Sequence, residues 1–358
     1  MVHISVVDAD QITSEQSAAW RTLQRAYPEF DSPFFHPGFT ECAAAVRTDV
    51  EVAVLEQDGQ PVGFFPYQRG RGDIGVPVGG KLSEFHGVIA PPELPWKADE
   101  LLAACRLKAW YFDHLIAGQI PFGEFHLADA ASPYMDLRGG FDAYLERRAD
   151  SGLTTYKQTL RKARKLGREV GEVRFEYFDT DPASLDKLIR WKTEQHIRTN
   201  RVPVFRCDWL CRLLQVVQHS EAEGFQGVCS TLSVGKRLIA VHLGLRSQNA
   251  LHMWFPAYDR DFEKYSPGLI LLVQIAKACT ERGIGRIDFG PGPERYKSSF
   301  KTGALPLWKG VAETRRVAKL LRPQWYALKR RVRSSRWQHR FEDSMTIANR
   351  VRDRLAFR

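Results

Sequence analysis

The sequence has few cysteines and none in a pairing pattern. Its six cysteines are dispersed along 358 residues, and none forms a CxxC pair. No histidines stand beside them at zinc-site spacing, so the motif for a structural zinc site is missing. Cys207 and Cys211 lie one helical turn apart, which is typical of packing. Dispersed cysteines in a chain that can bury a large core without disulfides indicate a reducing compartment.

The sequence also lacks a leader pattern and a long apolar run. Its first residues, MVHISVVDADQ, carry acids where a signal peptide has a basic stretch. The longest apolar run, residues 269–276, is interrupted by Gln274 and is too short to cross a bilayer. We therefore expect a cytoplasmic protein, at most peripheral to the inner face of the membrane.

Positive charge is concentrated at one end of the chain. The formal net charge is +10, and residues 315–358 hold 14 Lys/Arg against 3 Asp/Glu. The remaining residues carry 38 basic and 39 acidic groups and are nearly neutral. A near-neutral body argues against a globular fold that binds DNA through a spread basic face. The tail favours an acidic partner, such as a lipid surface, a phosphate-rich ligand or RNA.

The body has the pattern of a mixed α/β fold. Residues 50–68 and 227–247 each predict a β-hairpin with a glycine in its turn, and a third strand is predicted over 250–258. Residues 124–130 predict a further strand. The two hairpins indicate either a duplicated domain or two unrelated hairpins, because hairpins are common.

Two long helices are predicted between these hairpins. One covers residues 101–116, and the other runs from 141 to 168, where it divides the chain. Five basic residues share one side of the second helix: Lys157, Arg161, Arg164, Lys165 and Arg168. This side is either a solvated charged face or an electropositive wall that faces an anionic substrate.

Residues 258–301 carry the most information about function. After a strand and a polar loop, Ser266 can cap a helix, Pro267 suits its first position, and Gly268 lets another group approach the backbone. A helix over 269–282, a short strand and a second short helix follow. A free helix N-terminus offers N–H donors and partial positive charge, so a pyrophosphate fits there. An ordinary capped helix without a ligand is the alternative.

Several segments resemble the GNAT superfamily of acyl-CoA N-acyltransferases, in particular the branch of the cellulose-biosynthesis acetyltransferases and Fem-type transferases. In the second half these are AVHLG (240–244), WFPAYD (254–259), YSPGLILL (265–272) and IDFGPGPERYKSSF (287–300). In the first half they are SPFFHPGFT, AVLEQDGQPVGFFPYQR and PVGGKLSEFHGVIAP. The usual phosphate-loop signature, Q/R-x-x-G-x-G/A, is absent, and SPG takes its place, as it does in this branch.

The resemblance implies an α/β fold with mixed sheets, made of tandem duplicated GNAT-like domains and a basic helical tail. The implied parts are a first domain (1–150), a basic connecting helix (151–172), an acyl-CoA-binding domain (173–314) and the tail (315–358). The implied cofactor is acetyl-CoA or another acyl-CoA, used as a substrate, and no metal is implied. Its diphosphate would lie against Tyr265, Ser266, Pro267, Gly268 and Leu269. An N–H of the strand 250–258 would stabilise the oxyanion.

Acyl transfer to an amine also needs a base, an acid and a surface for the acceptor. The candidate catalytic residues are His242, Asp288, Tyr296 and Lys297, and the candidate acceptor-binding residues are His86, Glu194 and His196. Structural alternatives stay open: a satisfied core histidine at His242, a strand-end hydrogen bond at Asp288, a core aromatic at Tyr296, and a solvated helix surface at Glu194 and His196.

The tail mixes aromatic and aliphatic side chains with arginine and lysine. Trp325, Leu328 and Val332 fall at helical spacing among basic residues, which is typical of an interfacial amphipathic helix. Packing on the body and contact with an anionic membrane or phosphate-rich ligand are the two main alternatives. Nucleic acid is the least favoured partner.

These features predict an acyl-CoA-dependent N-acyltransferase. The resemblance implies an amine-bearing acceptor, either a small molecule or an amino sugar or glycan precursor in cell-surface polysaccharide biosynthesis. One alternative is a Fem-type transferase that uses aminoacyl-tRNA and acts on a cell-wall precursor, although no sustained heptad run for a coiled-coil arm is present. The other is a degenerate, non-enzymatic protein that binds a phosphate-rich ligand through its tail.

Overall fold

The computed structural model describes residues 2–149, 153–315, 318, 319 and 324. Over these residues the chain forms one mixed sheet with helices on both faces. The strands are β1 (His3–Asp8), β2 (Val50–Gln57), β3 (Gln60–Gly70), β4 (Ile74–Val76), β5 (Ala109–Ile116), β6 (His126–Asp136), β7 (Val173–Glu176), β8 (Glu221–Ala222), β9 (Phe225–Val234), β10 (Arg237–Arg246), β11 (Ala250–Tyr258), β12 (Arg286–Asp288) and β13 (Gly303–Glu313). The helices are α1 (Ser14–Ala26), α2 (Pro37–Ala44), α3 (Ala98–Ala104), α4 (Phe141–Arg147), α5 (Thr154–Glu169), α6 (Pro182–Arg198), α7 (Asp208–Gln218), α8 (Pro267–Glu281) and α9 (Arg295–Phe300).

The sheet consists of two similar halves. Its strand order is β1-β2-β3-β4-β5-β13-β6-β12-β11-β10-β9-β7, with β8 paired to β9. The antiparallel strands β1 to β4 of the first half correspond to β7, β9, β10 and β11 of the second. A parallel pair then closes each series, β4 with β5 and β11 with β12. Two helices follow the first strand of each series, and one helix precedes its parallel partner. The tandem GNAT-like duplication that the sequence predicts is therefore confirmed.

The halves exchange strands at their junction. β6 follows β5 in the chain but pairs with β12, whereas β13 follows β12 but pairs with β5. The two exchanged strands also pair with each other, antiparallel, from Gly303–Tyr134 to Gly310–His126. The exchange makes the sheet continuous and fixes the position of one half against the other. The predicted domain boundaries remain a prediction.

Apolar side chains alternate between the two faces of the sheet, as the period of a strand requires. On one face Val52 of β2 and Leu243 of β10 belong to a single core that is shared by α1, α2, α6 and α7. On the other face Leu55 of β2 packs in the core that contains α3. Ile239 of β10 lies in the core under α5 and α8. The shared core therefore spans both halves, while the opposite face has a separate core for each.

Two of the predicted helices are wrong in their extent. Residues 101–116 are not one helix, because α3 ends at Ala104, Arg106 takes a left-handed φ of 52°, and β5 starts at Ala109. β5 is an inner strand in which apolar residues 109–112 precede Asp113 and His114, so its sequence shows no regular alternation. The second predicted helix, 141–168, is divided into α4 and α5.

Most of the basic tail lies outside the described residues, and so does its predicted amphipathic helix. At its start, the Lys319 ammonium lies 2.8 Å from a Glu124 carboxylate oxygen and 4.7 Å from the centre of the Phe125 ring. The tail's partners therefore remain a prediction. No helix in the described ranges is both long enough and apolar enough to cross a bilayer.

Candidate active site

The strands of the second half separate beyond a short parallel pairing. β11 and β12 pair only through Ala250–His252 and Arg286–Asp288. β11 continues to Tyr258, and in the described chain no other backbone segment bonds to its β12-facing edge beyond this pairing. We call the space between residues 253–258 and the chain after β12 the second-half wedge. Unpaired N–H groups on such an edge can donate to the carbonyl oxygen of a ligand.

The corresponding space in the first half is filled by the chain itself. Residues 83–89, which we call the plug, lie between β3 and β5. On one side the His86 amide donates to the His114 carbonyl, and the Ile116 amide donates to the His86 carbonyl, both at 3.2 Å. On the other side Ile89 and Phe64 exchange two backbone hydrogen bonds of 2.8 and 2.9 Å. Backbone therefore fills this space in the first half, whereas in the described chain no backbone pairs with the matching strand edge in the second half.

Helix α8 begins beside the second-half wedge, and its first amides are only partly free. Ser266 occupies its N-cap position with a left-handed φ of 55°, a conformation that costs a residue with a Cβ about 1–3 kcal/mol. Its amide donates to the Glu263 carbonyl, and its own carbonyl accepts from Leu269. Pro267 has no N–H, so the Gly268 amide is the donor left without a partner among the described residues. Among the first amides of α8 in the described structure, only that of Gly268 is therefore free to bind the predicted anion.

A lysine from the connecting helix supplements this amide. The Lys162 ammonium donates to the Ser266 hydroxyl at 2.7 Å, so the hydroxyl does not cap the helix as the sequence suggests. Nearby, the Tyr265 hydroxyl donates to a Glu169 carboxylate oxygen at 2.7 Å. The five basic residues predicted to share one side of α5 are all exposed. The start of α8 therefore combines a free amide, an ammonium group and a wide positive surface.

Across the wedge, residues from both halves form what we call the acceptor-side cluster: Glu84, Lys192, His252, Glu294 and Tyr296. Glu84 belongs to the plug, and its carboxylate lies 2.6 Å from the Nε2 atom of fully buried His252. Half-buried Lys192 of α6 interacts electrostatically with Glu294 and Glu84, and burial lowers its pKa to about 8. Half-buried Tyr296 lies against Phe289, and burial holds the pKa of its phenol well above the usual range.

Two predicted catalytic residues lie outside the cluster and are buried. His242 is fully buried, and neither ring nitrogen has a partner in the described part of the chain. Burial, with His252 and Lys192 as further causes, lowers its pKa to about 3. Asp288 is also fully buried, and Arg286 donates to both of its carboxylate oxygens at 2.9 and 3.2 Å. Their catalytic roles stay predictions, and the structural alternative has geometric support for Asp288.

Lys297 is buried and fully occupied by its own loop. Its ammonium donates to the carbonyls of Gly290 and Pro291, both at 3.1 Å, and pairs with Glu294 at 2.9 Å. An ammonium group has three donors, so none is left for a phosphate. A catalytic role of the Lys297 ammonium therefore requires this loop to open.

The three predicted acceptor-binding residues lie outside the cluster. His86 Nε2 accepts the amides of Asp113 and His114, which places its ring in the first-half core. Glu194 is exposed, 3.9 Å from Arg190 on the same helix. His196 Nδ1 donates to the Val202 carbonyl at 2.9 Å, one turn beyond Lys192 on α6.

The cluster residues that the sequence does not predict stand close to residues or strands that it does predict. Glu84 stands two positions before His86, and Lys192 two positions before Glu194. His252 is in the strand that was correctly predicted over 250–258. In the sequence, Glu84 is marked by its charge among the apolar side chains of residues 82–89, because a buried charged group needs a partner. In the described residues, no group of three or more His, Cys, Asp or Glu could hold a metal ion.

The second half of the chain is similar to a known acyltransferase domain. Residues 154–298 match the family model of the acetyltransferase (GNAT) domain. These residues form an acetyltransferase (GNAT) domain, which identifies an acyltransferase, and the fold of the chain is similar to that of FemX, a Fem-type protein. No curated protein matches the chain by sequence.

Solved structures share this fold at low sequence identity. FemX is similar with a TM-score of 0.57 and 9% identity, over 86% of this chain and 97% of that one. The C-terminal domain of a putative lysylphosphatidylglycerol synthetase from Agrobacterium fabrum is similar with a TM-score of 0.54 and 13% identity, over 86% and 94%. L-PGS from Bacillus licheniformis has a TM-score of 0.50 and 12% identity, over 87% and 96%.

Proposed function

We propose that the enzyme transfers an acyl group from an acyl-CoA, most simply acetyl-CoA, to the amine of an amino sugar or glycan precursor for cell-surface polysaccharide. The observation that carries the proposal is the contrast between the two wedges. The first is filled by the plug, whereas the second is free of backbone partners and begins beside α8. An extended donor can lie in the second wedge and reach a helix N-terminus with its diphosphate.

Each part of the donor has a matching group. The Gly268 amide and the Lys162 ammonium supply one neutral and one charged donor for the diphosphate. The free edge of residues 253–258 faces the thioester and can stabilise the oxyanion that forms when the amine attacks. Tyr296, whose phenol burial keeps protonated, can donate a hydrogen bond to the departing thiolate. No cofactor metal is needed for these steps.

Isothermal titration of the full chain with acetyl-CoA tests the donor. We expect one acetyl-CoA per chain, because only the second-half wedge has a strand edge without backbone partners in the described chain. Release of free CoA is then followed with a panel of amino sugars and amino-sugar nucleotides as acceptors. Two acetyl-CoA per chain, or none, contradicts the proposal.

A Fem-type reaction with aminoacyl-tRNA is the second candidate. It is favoured by the exposed basic side of α5, which is wider than a diphosphate requires and continues from Lys162. Neutralising three of these residues together, Lys157, Arg161 and Arg164, separates the candidates. An RNA ligand loses affinity steeply with each lost phosphate contact. Acetyl-CoA binding is expected to change little, since none of the three contacts Ser266.

A further inference from the structure

Glu84 connects the two halves at the site where the donor is proposed to react. It belongs to the plug, whose backbone is bound to β3 and β5 of the first half. Its carboxylate nevertheless lies 2.6 Å from the imidazole of His252, on β11 of the second half. The rigid backbone of the plug therefore holds a charged group over the other half of the molecule.

The carboxylate lies at the point where β11 and β12 separate. His252 is the last residue of β11 that pairs with β12, and Asp288 is the last residue of β12. Gly290 follows two residues later with a φ of +69°, and a Cβ at this position would overlap the Glu84 carboxylate. Two constraints therefore favour glycine at position 290: the positive backbone φ and the close approach of the Glu84 carboxylate.

Glu84 combines a fixed oxygen with a free one. Oε2 is bound to His252, while Oε1 has no hydrogen-bond partner in the described part of the chain. The side chain is 26% exposed, whereas His252 beneath it is fully buried. The carboxylate can therefore meet a substrate that His252 cannot reach. Edge-on contacts with Phe34 and Phe85, with ring centres 4.9 and 5.9 Å away, hold the imidazole in place.

We propose that Glu84 is the general base that takes the proton from the acceptor amine, and that His252 is the residue that positions it. The inference deepens the proposed function and rests on it, because the thioester must lie in the second-half wedge. It also assigns a role to the first half, which supplies the base for chemistry on a donor held by the second.

The reaction balances with the groups present. The amine nitrogen forms a bond to the thioester carbonyl carbon, and its proton passes to Glu84 Oε1. The carbonyl oxygen becomes negative and then re-forms its double bond as the carbon–sulfur bond breaks. The sulfur leaves with the electron pair as CoA thiolate and takes up one proton from solvent, while Glu84 releases the amine's proton to solvent, so the products are an amide and a thiol.

The test compares four variants of the full chain, with acetyl-CoA as donor and glucosamine as the acceptor probe. For Glu84→Gln, which keeps the size of the side chain, we expect unchanged acetyl-CoA affinity and CoA release slower by about 10²-fold or more. Glu93→Gln makes the same change at an exposed plug-side residue and is expected to match the wild type. His252→Gln retains a donor for Glu84 and should keep more activity than His252→Ala.

The pH profile of turnover distinguishes a positioning role of His252 from a purely structural one. If His252 acts through Glu84, the acidic limb of the turnover profile should shift in His252→Ala and be absent in Glu84→Gln. Glu84→Gln with turnover within twofold of the wild type overturns the inference. A wild-type chain that binds acetyl-CoA but transfers its acyl group to no amine also overturns the inference. That result leaves intact the proposal that acetyl-CoA binds. A wild-type chain that does not bind acetyl-CoA overturns the proposed function and the inference together.

Discussion

The Lys162 ammonium donates to the Ser266 hydroxyl across 2.7 Å, and this contact joins the connecting helix α5 to the first turn of α8. It holds a positive charge beside the one helix-start amide that the described residues leave free. The contact also accounts for the left-handed Ser266, whose hydroxyl is turned toward α5 and not toward the amides that it would otherwise cap. A strained cap and an incoming cation are together typical of an anion site.

Removal of this cation should weaken donor binding. Lys162→Met keeps the length of the side chain but loses a charge-assisted hydrogen bond, which contributes about 1.5–3 kcal/mol. We expect the Kd for acetyl-CoA, measured by titration calorimetry, to rise about 10- to 100-fold. Lys157→Met, an exposed change on the same helix, is the matched control. Equal losses of acetyl-CoA affinity in Lys162→Met and Lys157→Met would show that affinity depends only on the overall positive charge of the helix.

Position 268 should tolerate a methyl group but not a carboxylate. A Cβ on Gly268 would meet the Tyr258 ring at 3.5 Å, an ordinary contact distance. Gly268→Ala should therefore bind acetyl-CoA within a few-fold of the wild type and unfold no more easily, since alanine favours helix over glycine by about 1 kcal/mol. Gly268→Glu places a negative charge where the diphosphate would lie, and we expect binding to be lost. Equal affinity of the two variants would remove the diphosphate from this turn.

Much of the fold could be predicted because its local signals agree with its tertiary structure. β11 was predicted with its exact limits, and α8 within two residues at its start and one at its end. Both hairpins were found from alternation and turn glycines. The inner strand β5 was not, because its polar residues Asp113 and His114 are consecutive and give none of the alternation that marks a strand. The exchange of β6 and β13 leaves no local signal at all, since both strands would have the same pattern beside either neighbour.

The site was less predictable than the fold because its chemistry depends on contacts between distant residues. Glu84 and His252 are 168 positions apart, and only the junction of the halves brings them to 2.6 Å. The sequence marked the correct segments, yet within them it favoured His86 and His196, whose rings bind nearby backbone. Residue type alone cannot distinguish a histidine that holds a loop from one that holds a catalytic carboxylate.

The lowered pKa of Lys192 predicts a pH-dependent stability. Its folded-state pKa of about 8 lies below the usual value of 10.5, chiefly because of burial. Below pH 8 the folded state must keep a half-buried ammonium charged, whereas above it the folded state releases the proton before the unfolded state does. The contribution of Lys192 to the free energy of unfolding should therefore become more favourable as pH rises from about 8 to about 10.5.

Urea unfolding of the wild type and of Lys192→Met checks this sign. The variant has no charge to bury, so we expect it to be the more stable protein near pH 7, with the difference narrowing above pH 8. Lys187→Met, an exposed change on the same helix, should show a constant difference across the range. A gap between Lys192→Met and the wild type that widens with pH would contradict the assignment.

The Arg286–Asp288 pair should behave as a structural pair. Asp288 is fully buried, and Arg286 also donates to the Asp31 carbonyl, which ties β12 to the loop before α2. Asp288→Ala would leave the guanidinium buried without its carboxylate, which costs about 3–5 kcal/mol. We expect that loss in the free energy of unfolding measured with urea. The exposed Asp142→Ala should change it by less than about 0.5 kcal/mol.

The double variant Arg286→Met/Asp288→Leu separates this role from catalysis. Replacement of both charges by apolar groups of similar volume removes the unpaired ion, so the double variant should be more stable than Asp288→Ala. If Asp288 only supports β12, a folded double variant should also retain CoA release in the acetyl-CoA assay. If it is the base predicted from the sequence, the double variant should fold and yet be inactive. Stability and turnover measured on the same preparation therefore decide whether Asp288 or Glu84 is the base.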